Sequence, residues 1–337
     1  MAEIKDLPWE KLSGCNILVT GATGLIGSSF VDVLMNNSNK DYQVYALGRN
    51  SQMAQARFLR FKDDSAFHFL CGDVTLSLAR DESFHFIIHA ASNGSPNFFA
   101  NSPVEVMKSN LYGVSNLIEY GLAHDMKRFL YVSSGEVYGV NDAAVFDEDS
   151  YGYLDILDTR SCYPSSKRAA ETLAMCYAAE YGADIVVARP CHTYGPHFTE
   201  SDNRVYAQFI RNVLNGDDIV MKSAGTQYRS WCYAEDCVSA LLYILLKGKS
   251  GEAYNVADRT SVVTIRQLAE MIAHIAGRKV VMQVPSDNEK KGFTPIKRAV
   301  FDTAKLEALG WSVSGTMDEK LRRTIDVCRS NVQGTGK

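Results

Sequence analysis

The stretch NILVTGATGLIG, residues 16–27, decides how this chain folds. Its opening residues are mostly apolar or β-branched, as in a strand buried on both faces. Glycines follow at 21, 24 and 27, and a helical pattern, LIGSSFVDVLMNN (25–37), begins among them. Gly21 permits a tight turn, Gly24 lets backbone amides approach a pyrophosphate, and Gly27 lets the helix pack close to the strand. Strand, loop and helix in this order predict a dinucleotide site, with Thr23, Leu25 and Ile26 completing the loop.

Outward from this unit, short apolar runs alternate with helical patterns. QVYAL (43–47), FHFLC (67–71), FIIHA (86–90), RFLYVSS (128–134) and DIVVAR (184–189) read as strands. Residues 103–125 and 164–182 read as helices, the second with Pro164 in its first turn and Gly182 at its end, the usual polarity of helix punctuation. Apolar strands separated by helices predict an α/β fold, a Rossmann doubly wound parallel sheet. After Pro190 the rhythm turns to loops and helical patterns at 203–216, 234–248 and 264–277. We expect an NAD(P)-binding domain over 1–190 and a smaller, partly interleaved substrate region over 191–337.

The 337 residues are 46% hydrophobic and 22% charged, with a formal net charge of -4. That balance offers no footprint for nucleic acid or an anionic membrane surface. The N-terminal residues do not read as a secretory signal, and the most apolar run, ALLYILL (240–246), is too short to span a bilayer. A soluble, cytoplasmic protein is expected. Eight cysteines lack a CxxC pair, and His192 and His197 lack partners at zinc spacing, so reduced thiols and no metal are expected.

In RSCYPSSKRAAET, residues 160–172, Tyr163 and Lys167 stand four apart where a helix begins. Residues i and i+4 share a helix face, so phenol and ammonium project towards one cleft. A cation beside the phenol lowers a pKa that is ~10 when unperturbed, which would let Tyr163 take an alcohol proton at neutral pH. Ser134, at the end of the fifth strand, is placed to bond the same substrate oxygen. Together the three predict hydride transfer to a nicotinamide. At the end of the second strand, where an acid usually accepts ribose hydroxyls, stand Gly48 and Arg49. Arginine there suits a ribose phosphate, so the cofactor is read as NAD or NADP. Asp73, in CGDVT, is placed to meet the adenine or to cap a following helix.

TGATGLIG, HAAS, YVSSGEVYG, YPSSK, RPCHTYGP and YRSWCYAEDCVSAL resemble, in order and spacing, the extended short-chain dehydrogenases/reductases, within their nucleotide-sugar epimerases and dehydratases. The resemblance covers nearly the whole chain and is nearest to UDP-glucuronate decarboxylases and dTDP-glucose 4,6-dehydratases. It implies a tightly bound, recycled cofactor and a nucleotide-diphosphate sugar oxidised at C4 by Tyr163, Lys167 and Ser134. It also implies that Glu136 works at C5, which favours dehydration or epimerisation there over simple 4-epimerisation. Val74, Ala90, Ala91, Ser92, Asn110, Ser133, Pro190, His192 and Thr193 would border the cofactor. Asn93, His192, Arg204 and Arg229 would hold the nucleotide sugar. Two departures stand out. Gly135 replaces the acid that dehydratases place before this glutamate, and Phe293 or Thr294 falls where decarboxylases carry an arginine, with Lys297 or Arg298 nearby. The alternatives are a decarboxylase of the UDP-glucuronate type, an NADP-dependent keto-sugar reductase, and a non-catalytic NAD(P)-binding regulatory protein. Relatives pair through the helices beginning near 103 and 164, so a homodimer through Ala169, Ala170, Leu173, Ala174 and Tyr177 is expected.

Overall fold

The computed structural model describes Ile4, residues 6–283 and residues 296–334. In the first half the chain builds β1 (Cys15–Thr20), α1 (Leu25–Met35), β2 (Tyr42–Gly48), α2 (Ser51–Arg57), β3 (Phe67–Cys71), β4 (Phe86–His89), α3 (Pro96–Asn101), α4 (Pro103–Ala123), β5 (Arg128–Val132), α5 (Cys162–Tyr181) and β6 (Ile185–Pro190). It continues through β7 (His192–Tyr194), α6 (Val205–Leu214), β8 (Ile219–Met221), β9 (Tyr228–Tyr233), α7 (Ala234–Lys247), β10 (Ala253–Val256), β11 (Asp258–Thr264), α8 (Ile265–Ala276), β12 (Val280–Met282) and β13 (Arg298–Ala299).

Seven strands form one sheet in the order β10-β6-β5-β4-β1-β2-β3, with every pair parallel. Successive strand residues face opposite layers, which is why these strands are apolar throughout. Ile17, Val19, Val44 and Ile88 pack towards α1 and α7. Leu18, Ile87, Phe129 and Tyr131 pack towards α4 and α5. The order reverses between β1 and β4, and such a switch point opens a crevice at the carboxyl ends of the strands.

A second core joins Tyr206, Ile210, Trp231, Leu268 and Ile272 beneath a small sheet in which β9 pairs with β7, β11 and β13. The chain then returns to the main sheet, where β10 pairs with β6. We propose a boundary near 190 in the sense of a first departure only, because β10 and α7 belong to the first body. Among the described residues, no helix is long and apolar enough to cross a membrane.

Candidate active site

The glycine loop has the geometry of an anion cradle. Gly21 has φ +65, and a Cβ there would stand 2.6 Å from the Ala90 carbonyl. A Cβ on Gly27 would overlap the carbonyl of Gly21, so only glycine lets α1 approach this closely. Gly24 caps α1 with extended backbone and no side-chain bond, which leaves the first amides of the helix directed at the crevice. Thr23, Leu25 and Ile26 follow the loop into that turn. Around the crevice, Ser92 Oγ, Ser133 Oγ and Asn110 Oδ1 are buried polar atoms with no partner among the described residues. Loop and orphaned groups together fit a nicotinamide dinucleotide.

The other expected cofactor residues fall around this crevice or support it. Asp73 caps a turn and no helix: its Oδ1 accepts from Thr75 N and Oγ1, both at 2.9 Å. Its Oδ2 faces Arg49 at 3.8 Å. Val74 is buried beneath α4, and Ala90 and Ala91 lie against Gly21. Asn110 reaches across to α5, donating to Ser166 Oγ at 2.9 Å, while Ser166 Oγ bonds the Tyr163 carbonyl at 3.0 Å. It thus fixes the turn that carries the tyrosine. Pro190 ends β6, and Thr193 is buried on β7.

Tyr163 and Lys167 project from the first turns of α5 on one face. Phe99 stacks on the phenol ring at 4.7 Å, and Ser134 lies close enough to the hydroxyl to influence its titration. Burial dominates its titration and pushes the pKa up to about 12, with Ser134, Arg204 and Arg160 pulling the other way. Lys167 Nζ lies 5.8 Å from the phenol ring and donates to the Val132 carbonyl at 2.8 Å. Burial lowers its own pKa to about 7. The expected depression of the phenol by Lys167 is thus absent in the protein alone, because the same burial that places both groups in the crevice disfavours both charges.

Glu136 sits on the short turn after Ser134, which accepts from its amide at 3.2 Å. Its carboxylate is held by Arg160 through contacts at 3.0 and 3.1 Å, and the guanidinium lies 4.6 Å above the Phe99 ring. Arg160 and Phe99 were not singled out from sequence, although Arg160 stands three residues before Tyr163. A Cβ on Gly135 would overlap the ring of Phe301, so a side chain where dehydratases are expected to carry their acid would have to displace that ring.

Arg229 is 4% exposed and donates to the carbonyls of Tyr228 (2.8 Å) and Ile296 (2.7 Å). Burial lowers its pKa to about 10, and Glu136 is the charge that raises it. Arg204 is engaged elsewhere, with contacts to Asp202 at 3.0 and 2.6 Å. His192 is exposed on β7 with its ring 5.3 Å from that of Trp231, and the protein packed around it, with the charges of Arg229 and Arg204, holds its pKa below the usual imidazole range. Ser92 and Asn93 lie on the loop after β4, whose Gly94 stands 3.5 Å, from a built Cβ, to the Tyr163 hydroxyl. Arg298 leans on Tyr228 at 5.5 Å, Lys297 is exposed, and Phe293 and Thr294 lie outside the described residues. No group of three or more potential ligands for a metal occurs among the described residues.

Comparison with known proteins agrees with this arrangement. The model of the NAD dependent epimerase/dehydratase family matches residues 17–257. The chain is 32% identical over 315 residues to UDP-glucuronic acid decarboxylase 6 of Arabidopsis thaliana, covering 92% of this chain and 87% of the relative. A dTDP-glucose 4,6-dehydratase of Streptomyces venezuelae, solved with NAD bound, superposes with a TM-score of 0.83 at 25% identity, covering 95% and 98%. A UDP-glucose 4-epimerase of Thermotoga maritima, solved with UDP-glucose, gives 0.79 at 25% identity, covering 94% and 99%. Glycine loop, paired tyrosine and lysine, and these likenesses lead to one conclusion: the chain is an enzyme of the NAD-dependent epimerase/dehydratase family.

Proposed function

We propose that this chain oxidises the C4 hydroxyl of a nucleotide-diphosphate sugar transiently and then works at C5 through Glu136. The observation that carries the reading is the convergence of Ser134, Glu136 and Tyr163 on one cleft that also holds Arg229, a buried cation whose bonds within the described residues go only to backbone carbonyls. Such a guanidinium suits a diphosphate. When bound, the nicotinamide supplies a hydride acceptor that gives the hydride back, together with a positive charge. Tyr163 takes the proton of the C4 hydroxyl while Ser134 bonds that oxygen. Its raised pKa means that it acts as a base only with cationic help. A ketone at C4 acidifies the C5 hydrogen and weakens the bond to a carboxylate at C5. Glu136, held by Arg160, then takes or delivers the proton at C5.

Decarboxylation of a uronate is a second reading, which one observation favours. With Phe301 over Gly135 there is no side-chain acid at that position for a departing C6 hydroxyl, whereas carbon dioxide leaves without one. The likeness to UDP-glucuronic acid decarboxylases supports it.

Glu136→Gln separates the two stages. The variant is expected to retain C4 oxidation and to lose solvent deuterium uptake at C5; uptake at the wild-type rate would refute the role of Glu136. We also propose a cytoplasmic homodimer that pairs through α4 and α5. Ala170 and Ala174 are buried in the subunit's own core, but Val104, Met107, Tyr112, Leu122 and Tyr181 are exposed on these helices.

A further inference from the structure

Two protein groups must reach one sugar if C4 and C5 both react, and a short series of contacts links them. Asp158 Oδ1 accepts from the Arg160 amide at 2.9 Å, which fixes the turn three residues before Tyr163. From that turn the Arg160 guanidinium meets both oxygens of the Glu136 carboxylate, Nη2 to Oε1 at 3.0 Å and Nη1 to Oε2 at 3.1 Å. The same guanidinium stands 4.6 Å over the ring of Phe99. Phe99 in turn stacks on Tyr163 at 4.7 Å with 23° between the planes, and both rings belong to one small core with Val106 and Cys162. Carboxylate, guanidinium, ring and phenol are thus continuous.

The ion pair is open to water, since the side chains of Arg160 and Glu136 are 48% and 38% exposed. A pair so exposed contributes little to stability, and salt screens it further. Its fork geometry still restricts where the carboxylate points, and buried Phe99 gives the guanidinium a rigid floor. Arg229, the other cation that acts on Glu136, is bonded to the carbonyls of Tyr228 and Ile296 instead. Beyond burial and Ser134, Glu136 and Arg160 act on the Tyr163 hydroxyl with opposite sign, which places the three groups in one neighbourhood.

We propose that Arg160 is a positioning residue for the step at C5: braced on Phe99, it holds the Glu136 carboxylate at a set place relative to Tyr163, so that both groups work on one bound sugar. The proposal rests on the reading that Glu136 works at C5. In that step Glu136 takes the C5 proton while the bonding pair passes into the C4 ketone as an enolate, and the proton returned to C5 comes from solvent through the same carboxylate. With a uronate, the pair of the broken bond between C5 and its carboxylate takes the same course, and Glu136 delivers the proton. Displacing such a group by about 1 Å costs its step about 10²-fold.

The full chain with NAD is given UDP-glucose, UDP-glucuronate and dTDP-glucose in deuterium oxide. Absorbance of the reduced nicotinamide in a single turnover reports oxidation at C4, and NMR of the products reports deuterium at C5. Arg160→Ala should oxidise C4 at close to the wild-type rate and take up deuterium about 10²-fold more slowly, with thermal unfolding as the check on its fold. Arg160→Lys, which keeps the charge and loses the fork, should fall between; it carries the same comparison if Arg160→Ala fails to fold. Guanidinium chloride at low millimolar concentration should restore uptake in Arg160→Ala, where urea and sodium chloride should not. Uptake at the wild-type rate in Arg160→Ala, equal slowing of both steps, or recovery with urea as full as with guanidinium would overturn the proposal and leave the role of Glu136 intact. Wild-type uptake by Glu136→Gln, or no deuterium at C5 from any of the three sugars with the wild-type chain, would overturn the C5 reading and this proposal with it.

Discussion

Burial sets the terms at Tyr163. The crevice that excludes water pushes the phenol up to about 12 and Lys167 down to about 7, so the pair resists charging until a substrate site is assembled. Tyr163→Phe should keep the fold and lower turnover by about 10²- to 10⁴-fold, the usual contribution of a placed acid-base group, as steady-state kinetics will register. Lys167 carries a second prediction. Its folded pKa lies below the free value of 10.5, so the unfolded chain holds more protons from about pH 7 to 10.5 and the group's contribution to stability rises with pH across that window. Lys167→Met should therefore raise the thermal midpoint, most at or below about pH 7 and progressively less towards about pH 10; a gain that grows with pH would contradict the assignment. At Gly135, Asp should cost roughly 1–3 kcal/mol by overpacking against Phe301, and denaturant titration of Gly135→Asp with Phe301→Ala should recover part of that loss. The Tyr163 and Lys167 pair was legible because a four-residue spacing needs only one helix to become a contact. Arg160 and Glu136 meet across 24 residues of chain, and no local pattern announces such a contact.

At the scale of elements, α5 is tied down on two sides. Its end is marked by Gly182 in the left-handed region, and its body is held by Glu171, which accepts from Arg189 of β6 at 3.1 and 2.7 Å in a buried pair. Arg189 also donates to the Glu148 carbonyl at 2.6 Å and the Tyr151 hydroxyl at 3.0 Å, gathering the segment that leads into the site. Removing one partner strands a buried charge. Arg189→Met should cost about 3–5 kcal/mol by denaturant titration, whereas Arg266→Ala, which breaks an exposed pair with Glu270, should cost under about 1 kcal/mol. Equal costs would show that burial does not govern the pair. The strands from 16 to 189 and the six helical patterns were readable because each is long or uniformly apolar. The four-residue β10 and the short strands around β9 were not, since their pairing depends on partners far along the chain.

For the molecule as a whole, sequence rhythm placed the dinucleotide half but not the return of β10 and α7 to it, because the order of strands in a sheet is a tertiary fact. Exposed apolar residues on α4 and α5 lead to a prediction of assembly: sedimentation should report a dimer, and Tyr112→Glu with Tyr181→Glu should shift it towards monomer without loss of the fold. The central claim concerns chemistry at C4 and C5 within one cleft. Its most direct test is mass spectrometry of products after the purified chain, without added cofactor, meets a panel of UDP, dTDP, GDP and CDP sugars and uronates. The account predicts either loss of carbon dioxide from a uronate or, in deuterium oxide, an isomer heavier than the starting sugar by the single deuterium it has taken up at C5. Products found only when reduced cofactor is supplied in stoichiometric amount, or no conversion of any sugar, would contradict it.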